Sequence, residues 1–415
     1  MAKFTEVLTR LTGNRQATVD TVTSAPAPLQ PIDLTDDAVV AEVLDLAVRV
    51  GEVLLASGTA AMDTAEQVQF IAATYGLAQC DVDVTYNSIV LSAYRGPTRP
   101  PASTMRIVHY RSMDFTRLAA VDRLTRRIRR EAITPDQAHD ALTAITTAPH
   151  PYNRWTATMA WAAMAASVSV LLGGGFLVAT VAFLTTMVID RVNRVLNRFG
   201  LPFFFQQVVG GLIAAAPAAT LYTFQDQLGI SIRPSLVIAA GVVVLLSGLS
   251  LVGSVQDAIM GAPITAVARF FEVVMMTGGI IAGVAISLRM TGMLGSTLPP
   301  INVEVSTITQ LPILMLSGAC ASVFYALACY AERRALTAAF LGGAAGSGVS
   351  IFVQTLDVGP VIAAAIAATV VGLAGGLMAR RALTPPLVVA VAGITPCSPA
   401  CRCIEACTHC STTRY

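Results

Sequence analysis

Two kinds of periodicity divide the chain. From Asp36 to Thr147 the pattern is that of a small soluble fold. Val39, Val43, Leu46, Val50 and Leu54 recur at helical spacing behind Asp36, a natural N-cap, and Gly58 follows as a stop signal. This predicts a helix to about Ala56, and a second amphipathic helix covers roughly 63–75. The period then drops to two: Val82, Val84 and Tyr86 alternate with Asp81, Asp83 and Thr85. Asn87-Ser88 reads as a turn, with strands at about 89–94 and 105–110. Helices over about 115–132 and 135–147 complete an α+β domain. The stretch before it, with prolines at 26, 28 and 31, cannot sustain a helix and reads as a disordered lead-in over 1–33.

Beyond Trp155 the polar positions nearly vanish. Apolar runs lie near 155–172, 174–190, 201–223, 234–253, 264–288, 309–330, 335–355, 358–379 and from 384 onward. A helix crosses a bilayer with about 20 apolar residues, so this region holds about nine spans. The chain is therefore predicted to be a mainly α, polytopic membrane protein behind a soluble domain over 34–150. Composition agrees: 54% of residues are hydrophobic and 13% charged, against roughly 25% charged in a soluble domain. The first 150 residues hold more than half of the charges. A net charge of +2 gives no nucleic-acid signature.

Charge placement sets an orientation. Basic residues favour cytoplasmic loops, and three loops after even-numbered spans carry them: Arg191, Arg194 and Arg198; Arg333 and Arg334; Arg380 and Arg381. The N-terminus has no apolar core and is no signal peptide, so the soluble domain is predicted to be cytoplasmic.

The membrane part also repeats itself. VGGLIAAAPAATL (209–221) matches VGPVIAAAIAATV (358–370) at nine of thirteen positions, and PSLVIA (234–239) resembles PPLVVA (385–390) at nearly the same offset. Third and fourth spans map onto eighth and ninth. A five-span unit flips its second copy, giving an inverted repeat over 151–290 and 291–396, a plan that places substrate at the repeat interface.

Charge inside apolar helices needs a partner or a wet path. Arg269 and Glu272 are three apart on one helix face and can pair. Asp257 precedes them in a Gly- and Pro-broken segment, and Gln206-Gln207 enters the third span. A structural ion pair is one reading. The other suits a zwitterionic amino acid: Arg269 for the carboxylate, Glu272 or Asp257 for the ammonium or a coupling proton. The small-residue runs at 342–348 and 372–376 read as helix-packing faces. The soluble domain shows no phosphate loop, metal cluster or nucleophile–base signature, and its histidines, His109, His139 and His150, read as surface residues. No cofactor is implied.

RVGEVLLASG (49–58), CDVDVTYNSIVLS (80–92), QDAIMG (256–261), ARFFE (268–272) and GITP (393–396) together resemble the threonine/serine exporter family of bacteria. The resemblance implies a multi-pass protein of the bacterial cytoplasmic membrane with ten spans, exporting threonine and serine with the proton-motive force. Its partners would be the lipid bilayer, a small amino acid and protons, with a homo-oligomer left open. Export of small dicarboxylates, or a gated pore with the soluble domain as sensor, are the alternatives, and a membrane-anchored enzyme the last of them.

The five cysteines between 397 and 410 are spaced C-x3-C-x-C-x3-C-x2-C, which fits no common zinc pattern. Back-translated and read one base earlier, this stretch permits LLPGLPLYRGMY, similar to the family's pattern after GITP. Residues 397–415 are thus expected to be an out-of-frame tail, with the tenth span missing. Resequencing the gene across codon 396 tests this.

Overall fold

The computed structural model describes residues 31–109, 113–131, 133–223, 234–246, 248–293, 311–356 and 359–380. The span from 384 onward and the cysteine-rich tail lie outside the described residues, as do the first 30 residues of the lead-in.

The soluble part follows its sequence signals closely. Helix α1 (Asp37–Ala56) starts where Asp36 accepts a hydrogen bond from the Ala38 amide and ends before Gly58, whose φ of 92° only glycine adopts readily. Helix α2 (Ala61–Thr74) follows. Strands β1 (Cys80–Thr85), β2 (Ser88–Ala93) and β3 (Ala102–Ile107) form an antiparallel sheet in that order. Its register pairs Val84 with Ile89 and Ala93 with Ala102. The third strand begins three residues earlier than its apolar positions suggested. Ala102, Ser103 and Thr104 carry no apolar alternation, yet the ladder to β2 recruits them. Helices α3 (Phe115–Arg130) and α4 (Pro135–Thr147) complete the domain. Its core gathers Val43, Leu46, Val50, Val68, Ile71, Tyr75, Ile89, Leu91, Phe115 and Ile128, all essentially buried.

Among the described residues, eight helices follow: α5 (Arg154–Leu171), α6 (Phe176–Arg198), α7 (Phe203–Thr223), α8 (Pro234–Leu245), α9 (Gly248–Ile259), α10 (Pro263–Met293), α11 (Leu311–Ala328) and α12 (Arg333–Gln354), with α13 (Pro360–Arg380) as a ninth. Among the described residues, α6, α7, α10, α11 and α12 are each long and apolar enough to cross a membrane. The predicted fourth span is divided: α8 and α9 meet at a bend of 54° and make one further candidate as a broken span. Asp257 lies near the end of α9, just before the turn at 260–262, which contains Gly261 and leads into α10 at Pro263.

Helix α5 packs on α6, α6 on α7, and α7 on α10. In the second half α11 packs on α12 and α12 on α13, while α5 and α11 join the halves. Small residues set these distances. A Cβ on Gly283 would stand 2.0 Å from the Val208 carbonyl oxygen, and one on Gly211 2.5 Å from that of Ile280. Helices α7 and α10 thus touch backbone to backbone. Gly318 and Gly343 do the same for α11 and α12, where a Cβ on Gly343 would lie 2.7 Å from the Gly318 oxygen.

Candidate functional site at the domain–bundle junction

The soluble domain is docked on one end of the bundle at two places. At the first, α3 meets the turn between α11 and α12. The Phe115 amide donates to the Cys329 carbonyl at 3.0 Å, and the Thr116 hydroxyl to the Tyr330 carbonyl. Arg123 pairs with Glu332 at 2.7 Å. His150 stacks on the Tyr330 ring and meets the buried Asp114 carboxylate at 2.9 Å. His150, read from sequence as a plain surface residue, is part of this contact. One hydrophobic core runs through it, since Met164, Val168, Ala321, Tyr325, Ala326, Cys329, Ala335 and Ala339 belong to the same cluster as the domain's own core.

The second contact is polar, and it contains the charged residues picked out in the sequence. Asp257 of α9 and Arg269 of α10 form an ion pair, Nη1 to Oδ2, at 2.7 Å; the two side chains are 0% and 4% exposed. The other Asp257 oxygen accepts the Ala61 amide at 2.7 Å. Ala60, at the N-cap position of α2, offers no side-chain cap, so a carboxylate nearly two hundred residues away fills that role. The positive end of the helix dipole favours this charge. Arg269 also donates to the Thr59 carbonyl at 3.3 Å.

Around this centre the domain adds further contacts. The Tyr86 amide donates to the Thr265 hydroxyl at 3.1 Å, and that hydroxyl donates to the Val84 carbonyl at 3.2 Å. The Tyr86 hydroxyl donates to Glu272 at 3.3 Å. Tyr86 has a φ of 52°, a left-handed conformation unusual for an aromatic residue, at the tip of the β1–β2 hairpin. Gln256 donates to Asp63 at 3.0 Å. Burial, with repulsion from Glu66 and Asp257, raises the Asp63 carboxyl above its ordinary value, and the bond from Gln256 offsets part of this.

The candidates do not all converge. Asp257 and Arg269 meet directly. Glu272 lies one turn along α10, under Tyr86. Gln206 and Gln207 are buried at the start of α7, where Gln206 donates to the Leu201 carbonyl at 2.8 Å. Gln207 packs against Gly279, ten residues past Arg269, or about 15 Å along the helix. Thr59, Ala61, Asp63, Tyr86 and Thr265 were not picked out in the sequence as site residues. The broken helix at 256–263 was the available signal, because freed polar groups there need partners.

The order of the loops supports a common side. The α9–α10 and α11–α12 turns both touch the domain, and Arg191 at the end of α6 stacks over Trp155 at the start of α5. A soluble α+β domain docked on a bundle of long apolar helices, with a buried ion pair at the junction, defines a polytopic membrane protein of the transporter kind. A profile described as "Putative threonine/serine exporter" matches residues 45–291, and another, "Threonine/Serine exporter, ThrE", matches 315–413, running into the cysteine-rich tail. The chain belongs to the threonine/serine exporter family. It is 43% identical over 389 residues to the "Threonine/serine exporter" of Corynebacterium glutamicum, covering 93% of this chain and 79% of that one. It is 41% identical over 371 residues to the "Probable threonine/serine exporter" of Mycobacterium tuberculosis (strain ATCC 25618 / H37Rv), covering 88% and 69%. No solved structure matches.

Proposed function

We propose that the protein exports threonine and serine from the cytoplasm across the cytoplasmic membrane, driven by the proton-motive force. The relatives' names supply the substrate class. The observation that carries it to this chain's residues is the buried Asp257–Arg269 pair. A zwitterionic amino acid presents the complementary pair of charges, so its carboxylate can replace Asp257 at Arg269 while its ammonium takes Asp257. Desolvated charges that exchange one partner for another avoid the cost of being left alone in an apolar setting. Glu272 is the proposed proton carrier, one turn from the pair and reachable from the junction through Tyr86.

The five-plus-five inverted repeat fits this role. It is supported by the like order of neighbours in α5–α6–α7 and α11–α12–α13 and by the match of 209–221 to 358–370, which would make α5 and α11 equivalent positions. Placing the domain in the cytoplasm rests on the basic loops; of these, Arg191 stacks on Trp155 at the start of α5, and Arg333 opens α12 beside the Arg123–Glu332 contact.

Cells fed a threonine-containing dipeptide test the proposal. Cells carrying the protein should hold internal threonine below the level of cells without it, against a gradient, and an uncoupler should abolish the difference. Equilibration that survives the uncoupler would identify a pore instead.

A further inference from the structure

The two contacts between domain and bundle differ in kind. At the α11–α12 turn the apolar core is continuous, and parting the surfaces would expose Tyr325, Ala326 and Cys329 together with Phe115. At α9–α10 the contacts across the junction are hydrogen bonds, several of them to the charged groups of Asp257, Arg269, Glu272 and Asp63. Among the described residues there, α9, α10 and their turn add only the partly buried Ala262 to that core. Water can replace polar contacts, those to charged groups included, whereas exposed apolar surface has no such substitute. The first contact has the make-up of a hinge and the second that of a latch.

What the latch covers is the ion pair itself. Thr59, Ala61, Asp63 and Tyr86 close over Asp257, Arg269 and Glu272, so that Asp257 and Arg269 are shut off from solvent on the domain side. One carboxylate, Asp257, holds both Arg269 and the α2 amide. We propose that the soluble domain is a gate over the domain-side entrance. It pivots on the α3/α11–α12 contact, and the Asp257 carboxylate latches it shut through the Ala61 amide. A substrate that takes Arg269 or Asp257 competes directly with the latch, which couples occupancy to gate position. This rests on the export reading above for what passes the gate, but the gate's opening can be measured without transport.

Two measurements test it in the full chain with its native cysteines replaced. In the first, Thr59→Cys reports opening in membranes by its rate of reaction with a water-soluble maleimide. Adding Asp257→Asn should speed labelling by at least about tenfold, because the charge-assisted contacts are lost. Thr265→Val, a near-isosteric change outside the ion pair, should speed it about threefold through the loss of its hydrogen bonds. Unchanged labelling in both variants overturns the latch. In the second, Asp63→Cys with Gln256→Cys, at a pair that meets across the junction, is bridged by a short bis-maleimide with a reducible linker and joins α2 to α9. Export should stop on cross-linking and return on reduction, while each single variant is indifferent to the reagent. Undiminished export with the cross-link complete overturns the gate. Absence of export in the reduced form as well counts against the export reading, and the labelling rates still decide the gate.

Discussion

Asp257 and Ala61 are joined by a 2.7 Å hydrogen bond that spans 196 positions of the chain and links a membrane helix to the first turn of a helix in the soluble domain. The same carboxylate holds Arg269, so its removal is felt on both sides of the junction. Asp257→Ala takes the Asp257 counter-charge from a buried guanidinium and leaves α2 without its cap. The expected loss is about 3–5 kcal/mol, read as a lower melting temperature in detergent. A change within the scatter of surface substitutions would show that water reaches the pair freely.

Glu272→Gln separates charge from shape. The amide can still accept from the Tyr86 hydroxyl, so folding and insertion should be unaffected. If Glu272 carries the coupling proton, net export driven by a proton gradient should vanish while exchange of labelled threonine across the membrane continues. Retention of gradient-driven export would remove Glu272 from the proton path.

Close packing of α7 on α10 gives a paired prediction. A methyl group at Gly283 collides with the Val208 carbonyl, whereas one at Gly278 meets nothing within 4 Å. Gly283→Ala should destabilise the bundle by about 1–3 kcal/mol or more. Gly278→Ala should be neutral or slightly stabilising, as expected for alanine in a helix. Melting curves of the two variants, measured side by side, check this.

The raised Asp63 carboxyl makes docking depend on pH. Its value in the folded protein lies above that of the unfolded chain, because burial disfavours the charged form. A native state that binds the proton more tightly loses stability as pH rises through the interval between the two values, and the loss is complete above it. Asp63→Asn cannot ionise. It should flatten the dependence of thermal stability on pH across and just above the ordinary carboxylate range, and match or exceed the parent at neutral pH. An unaltered pH profile would mean that Asp63 is solvated.

Orientation is open to chemical labelling. A single cysteine at Arg194 or Arg333, in a background without other cysteines, should resist an impermeant reagent added to whole cells and react once the membrane is opened. Ready labelling of intact cells would invert the topology.

Much of the soluble domain was legible because its signals are local. Asp36 and Gly58 mark the ends of α1 within a few residues, and the alternation at Val82, Val84 and Ile89 marks the hairpin. The ion pair was half legible. Spacing of three nominates Glu272 for Arg269, since sequence reasoning sees neighbours on one helix. The structure adds Asp257, twelve positions earlier, because the chain turns at 260–262 and brings α9 back beside α10. The roles of Thr59, Ala61 and Tyr86 could not be read at all. Each acts through its backbone or a hydroxyl, against a partner some 180 or more positions distant.

The shared core has a consequence for how the protein is made. Thr116 finds Tyr330 across 214 positions, and at about 5–20 residues per second a ribosome needs roughly 10–40 s to cover that distance. Throughout that interval the soluble domain has left the ribosome while the α11 surface that Phe115 docks on does not yet exist. The newborn domain therefore carries a bare apolar flank beside the membrane until the sixth apolar segment is inserted, and that interval is when the nascent chain is most exposed to aggregation and to capture by chaperones or proteases.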